Sequence, residues 1–213
     1  MISTRDLSLL LEPPHLRLLC QSLAMLDAII EPEWESRYYS FDSHWNPGEA
    51  LASMRDGSGD EYVIWFGAVG TILKGFAHES VMSPYQRTPP CVWPGVLDDV
   101  PEVFSVFWAN PAFERDATTF CIWRTPSDIS WQRGEIQFPP GQDPDGSADL
   151  LVLLDGNPRT YQLWAEDYYE HSISLAAVTH IYEHRPLSQK VVTLLNSDLR
   201  LVDVREDAQE IGY

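Results

Sequence analysis

One β-hairpin constrains this chain more than any other segment. Asp56–Gly57–Ser58–Gly59 is a turn by residue type, and Glu61 to Phe66 is rich in β-branched and aromatic residues. Gly67 to Gly70 turns again, and Thr71 to Phe76 runs back. Composition and spacing together predict two antiparallel strands at this place.

Helical patterns flank the hairpin. Pro13–Pro14 opens a stretch in which Leu16, Leu18, Leu19, Leu23, Leu26, Ile29 and Ile30 recur at spacings of three and four, and Pro32 ends it. Residues 37–41 read as extended. Pro47–Gly48 precedes a segment, Glu49 to Arg55, that reads as a short helix. The four prolines between residues 83 and 95 mark an irregular loop. Pro101 opens a second helical run that Asn110–Pro111 stops. Thr118 to Arg124 is a strong strand, and Glu135 to Phe138 reads as a short one within a loop-rich stretch from 126 to 147. Helices are expected at Ala148–Leu154, from Pro158 to about Tyr169 with Asn157 as its cap, at Ser174–Glu183 and at Leu187–Leu195. Leu199 to Ile211 fits strand and helix equally. Helices at both ends with strands between them predict an α+β protein, an antiparallel sheet with flanking N- and C-terminal helices. We expect one domain over residues 1–213.

Charge narrows what such a fold can contact. The chain carries 32 Asp and Glu against 14 Lys and Arg, a net charge of -18. The excess is even along the chain, so the folded surface is acidic all over. It repels phosphate backbones and anionic lipid and attracts basic proteins. No basic stripe is present, so nucleic acid is not an expected partner. No apolar run reaches the roughly 18 residues a membrane span needs, so no membrane partner is expected. Met1 to Arg5 does not open as a secretory leader. Cys20, Cys91 and Cys121 are isolated and form no disulfide framework, which fits a reducing cytoplasm.

Several residues invite chemistry. His78 beside Glu79 and Ser80 suggests a hydrolase, yet adjacent residues on a strand point to opposite faces, and no nucleophile elbow is present. His180 and His184 have the spacing of a helical metal pair, but Ile181 stands where the zinc-protease motif has Glu, and Pro186 follows closely. Asp143 and Asp145, like Asp56, Asp60 and Glu61, lie in turns that suit a hard cation, and are also ordinary turn residues. Cys121 sits among Phe120, Ile122 and Trp123 and reads as a buried strand thiol. No phosphate-cradling loop and no dinucleotide fingerprint appear, so no cofactor is expected. Tyr38, Tyr39 and Trp45 lie in a polar stretch, which suits an aromatic contact patch or simple packing under the 42–48 loop. Tyr161, Trp164 and Tyr168 have helical spacing and read as core.

Residues 53–62 (Ser–Met–Arg–Asp–Gly–Ser–Gly–Asp–Glu–Tyr), Lys74 to Ser80, Met82 to Tyr85, Trp93 to Val96, Thr118 to Arg124 and Tyr161 to Ala165 resemble a family of uncharacterised bacterial cytoplasmic proteins. The resemblance covers most of residues 37–170 and implies a bacterial source. In size, acidity and α+β make-up the chain is also distantly similar to the glucan-synthesis-regulator and toxin-immunity superfamily. It lacks that superfamily's Leu–Pro–x–x–Tyr opening and Asn–Gly–Gly turn. This similarity implies an immunity-like or regulatory role.

The sequence thus predicts a protein that acts by binding, with an acidic surface that recognises a basic protein partner. Tyr38, Tyr39, Trp45, Asp56, Asp60 and Glu61 are the candidate contact residues. The alternative is a small-molecule or divalent-metal-dependent enzyme with a site near the 56–61 turn and His78.

Overall fold

The computed structural model describes residues 1–213. Its frame is a five-stranded antiparallel sheet whose strands lie side by side in chain order. Helix α1 (Pro13–Ile30) precedes it. Strands β1 (Tyr39–Asn46), β2 (Glu49–Arg55), β3 (Glu61–Gly67) and β4 (Gly70–Phe76) then form a continuous meander. A long irregular excursion follows, interrupted by the short helix α2 (Ser105–Trp108), before β5 (Phe120–Arg124) closes the sheet against β4. The rest is helical: α3 (Ser147–Leu150), α4 (Pro158–Tyr168), α5 (Leu175–Tyr182), α6 (Gln189–Leu195) and α7 (Arg205–Ile211). The class is α+β, with helices from both ends of the chain flanking the sheet.

Alternation along the strands divides the apolar residues between two faces. Phe41, Ala52, Tyr62, Ile64, Leu73 and Ile122 point into the larger core with α1 and the C-terminal helices. Trp65, Ile72, Cys121 and Trp123 point the other way, into a smaller core closed by Met82, Val96, Phe104, Phe107, Phe113 and Ile136 from the irregular excursion. Helix α1 explains the difference in size. From Leu19 to Ile30 every residue is buried, because the sheet lies on one side of it and α5, α6 and α7 on the others.

The predicted hairpin forms in register, with Glu61 opposite Phe76 and Gly67 opposite Gly70. Two of its glycines are required by close approaches. The Phe120 ring lies over Gly75, where an added Cβ would come within 2.0 Å of it, and the Trp65 indole folds over Gly67.

Four local expectations are corrected. Glu49–Arg55 is strand β2 rather than a helix, although Ala, Leu, Met and Glu favour helix in isolation. Gly48 at φ +80° turns the chain back, and the small Ala50 and Ala52 are fully covered in the larger core, beside α1. Glu135–Phe138 forms no strand; the sheet's last contact on that side is a single bridge between Trp123 and Gln132. The run after Pro101 shortens to one 3-10 turn, Glu102–Phe104, leading into the four residues of α2. Ala148–Leu154 divides into α3 and a 3-10 turn, Val152–Asp155. The ambiguous C-terminal stretch contains α7. No helix is long and apolar enough to cross a membrane.

Candidate partner-binding surface

The surface begins with a buried carboxylate. Asp27 lies on α1 with no solvent exposure. Its Oδ2 accepts from the backbone N–H groups of Tyr38 (2.9 Å) and Tyr39 (2.7 Å), and its Oδ1 accepts from the Tyr161 hydroxyl (2.9 Å). One side chain thus fixes where β1 begins and where α4 lies against it. Burial pushes the Asp27 pKa up to about 7, against the opposing pull of the bonds from Tyr39, Tyr161 and Tyr38.

Helix α4 carries the aromatic residues. Asn157 caps it by accepting from Arg159 N–H (3.0 Å), and Pro158 occupies the first turn. Tyr161, Trp164 and Tyr168 follow at helical spacing, in graded exposure. Tyr161 is in the core, Trp164 is half-buried, and Tyr168 is 44 % exposed. The Trp164 and Tyr168 rings stack, with centroids 5.1 Å apart and planes at 14°. Tyr38 stands edge-on to both, at 4.8 Å and 5.2 Å.

Carboxylates from three further places act electrostatically on these rings. Burial, and after it Asp56, Tyr168, Asp149 and Asp60, raise the Tyr38 phenol pKa. Burial and then Asp27, Asp56 and Glu31 do the same for Tyr168. The 56–60 turn, the start of α3 and the end of α1 thus each place a carboxylate within electrostatic reach of the cluster, and the Arg55 N–H, which donates to Tyr38 O at 2.9 Å, sets the 56–60 turn beside it. Asp56, Asp149 and Glu31 form no ion pair; across the whole chain the seven ion pairs engage only seven of the 32 acidic residues.

The 56–60 turn is rigid. Asp56 Oδ1 accepts from the N–H groups of Ser58, Gly59 and Asp60 at 2.8–3.0 Å. Burial works to raise the Asp56 pKa, but the Ser58 hydroxyl, which donates to Oδ2, and these backbone bonds outweigh it, so the pKa lies below the usual value. Asp60 Oδ1 accepts from His78 twice, from its backbone N–H at 2.7 Å and from Nδ1 at 2.6 Å, and the ring contact raises the imidazole pKa.

The residues singled out from sequence are thus redistributed. Tyr38, Asp56 and Asp60 come together, and His78 joins Asp60. Tyr39 is only 4 % exposed and packs in the larger core, so it offers nothing to a partner. Trp45 leaves the group altogether. A shift of register between Asp42 and Asn46 turns it to the smaller core, where it meets Phe113 at 6.0 Å. Glu61 is engaged by the buried Lys74 Nζ at 3.0 Å. Trp164, Tyr168 and Asp149 were not among the predicted contacts. The spacing of Tyr161, Trp164 and Tyr168 located the helix face, but only Tyr161 of the three is core.

The remaining candidates lie elsewhere. His184 is beyond the end of α5, at φ +50°, with Nε2 near Leu18 O (2.9 Å), while His180 Nε2 meets Pro186 O (3.0 Å). Both oxygens of Asp143 accept from the N–H groups of Ala148 and Asp149, and both oxygens of Asp145 are taken by Thr4 and Ser147. No group of three His, Cys, Asp or Glu side chains is gathered for a metal ion. Cys121 is buried, and burial raises its thiol pKa. Ser80 Oγ donates to Pro144 O at 2.6 Å rather than meeting His78. No protein-family model, curated protein or solved structure matches the chain.

Proposed function

We propose that this protein acts by binding a basic protein partner, in an immunity-like or regulatory role in a bacterial cytoplasm. The observation that carries the reading is the half-exposed Tyr168 ring, stacked on Trp164 and edge-on to Tyr38, with Asp56 and Glu31, neither in an ion pair, within electrostatic reach of it. Such a surface suits an arginine of the partner. A guanidinium continues the stack on the outer face of Tyr168 and forks onto a carboxylate, which the compact ammonium of lysine does less well. The overall charge of -18 draws a basic partner in from a distance and lowers its on-rate as salt rises. Nucleic acid and anionic lipid are disfavoured by the same field.

The test is titration with two labelled peptides of equal length and charge, one built on arginine and one on lysine. The arginine peptide should bind more tightly, and Tyr168→Ala should remove the difference. Equal binding of both, unchanged by Tyr168→Ala, would reduce the interaction to unspecific charge attraction and defeat the reading.

The contact between Asp60 and His78 favours a second reading. A carboxylate that orients an imidazole is a general-base arrangement, as a small-molecule or metal-dependent enzyme would need. A melting series with divalent cations and with chelator checks it. A shift of the wild type that His78→Ala abolishes supports an enzyme; no shift with any cation removes the metal form of it.

A further inference from the structure

A cavity of about 320 Å³ opens beside α2, on the face of the sheet away from α1. Its volume is at the small end of the range of about 300–1,000 Å³ for ligand sites. Phe104 and Phe107 turn into the smaller core and hold α2 in place, which leaves the other side of the helix to line the cavity. Leu97, Val100 and the Trp108 indole form an apolar wall. Glu102, Ser105 and Arg115 add a carboxylate, a hydroxyl and a guanidinium.

The two charges are the informative part. Arg115 is exposed, and its guanidinium forms no ion pair and no side-chain hydrogen bond, lying 5.7 Å from the centre of the Trp108 ring. Glu102 forms no ion pair either, with Arg115 or with any other residue. Opposite charges on one small cavity, neither in an ion pair, match a ligand that carries both. The Trp108 N–H is buried without an acceptor, so no hydrogen bond pins the indole that forms the wall.

We infer that this cavity binds a free α-amino acid with an apolar side chain. The carboxylate lies on Arg115, where a forked guanidinium gives two parallel hydrogen bonds. The ammonium lies toward Glu102 and Ser105, and the side chain rests against Leu97, Val100 and Trp108. A simple carboxylic acid would leave Glu102 repelling it, and a simple amine would meet the same repulsion from Arg115. The inference is independent of the partner surface on α4.

Calorimetric titration of the full chain with leucine and with phenylalanine tests it. Glycine, 4-methylpentanoate and 3-methylbutylamine serve as probes that lack the side chain, the ammonium and the carboxylate. Leucine or phenylalanine should saturate the protein, and each probe should bind about tenfold more weakly or worse. Arg115→Gln, at an exposed position, should weaken leucine by about tenfold while the melting temperature of the free protein stays unchanged. Equal binding of 4-methylpentanoate or of the amine would overturn the zwitterion assignment. So would undiminished leucine binding by Arg115→Gln, or no saturation of the folded wild type by either amino acid at about 10 mM.

Discussion

Trp164 and Tyr168 stand one turn apart on α4 with their rings stacked at 5.1 Å, and Tyr168 closes the stack on the solvent side while remaining 44 % exposed. In the proposed reading this exposed aromatic face receives a cation, so the ring should contribute to binding more than to folding.

Tyr168→Ala and Tyr39→Ala separate those two contributions. Tyr168→Ala should weaken an arginine-bearing partner by about 1–2 kcal/mol, the size of a partly desolvated cation–π contact, with a smaller change in stability. Tyr39 is buried, and Tyr39→Ala should cost about 3–5 kcal/mol of stability, as aromatic truncations in cores do. Peptide titration and urea denaturation of both variants measure the contrast.

Asp27 predicts how stability changes with pH. Its pKa is about 7 in the folded chain against 3.8 for an ordinary aspartate, so the folded state holds a proton that the unfolded state has lost across that window. The stability from this group is therefore complete below about pH 4 and is lost as pH rises through about 7, with a slope of at most about 1.4 kcal/mol per pH unit. Asp27→Asn should flatten that slope. Its amide oxygen can accept from Tyr38 and Tyr39, and its NH₂ can donate to the Tyr161 oxygen. Asp27→Ala leaves the Tyr38 and Tyr39 N–H groups and the buried Tyr161 hydroxyl without their acceptor, at a cost of about 1–3 kcal/mol for each that stays buried. Urea denaturation of the three proteins at pH 5 and pH 8 provides the comparison.

Lys74 is 1 % exposed, and its Nζ has a single partner, Glu61, which is 45 % exposed. Glu61→Gln should destabilise the chain by about 1–3 kcal/mol, because the buried ammonium loses its counter-charge while water at the rim replaces only part of it. Lys74→Met removes the charge and fills the same space, so it should be neutral or stabilising. In the Lys74→Met background, Glu61→Gln should have almost no effect. Denaturation midpoints of the four proteins make up the cycle.

What the sequence displayed was local. The 61–76 hairpin was legible because β-branched residues, aromatics and glycine turns all agree there, and α1 was legible because its apolar spacing has a proline at each end. Glu49–Arg55 was not, because its helix-forming residues were placed by tertiary packing under α1. The candidate surface shows the same division. Asp56 and Asp60 share one turn and were visible together. Trp164 and Tyr168 lie more than 100 residues away, and nothing local indicates that Asp27 brings them to Tyr38. Adjacency misled in the other direction for Tyr38, Tyr39 and Trp45, because strand alternation and a register shift send the three rings into three environments.

The most direct test is to record the indole N–H signals of the eight tryptophans by NMR while adding an arginine-rich peptide at low salt, with Trp164→Phe to assign one of them. The Trp164 signal should move first and furthest, Trp45 and Trp108 should stay in place, and raised salt or Tyr168→Ala should suppress the movement. Shifts centred on Trp45 or Trp108, or spread evenly over all eight, would contradict the proposed reading.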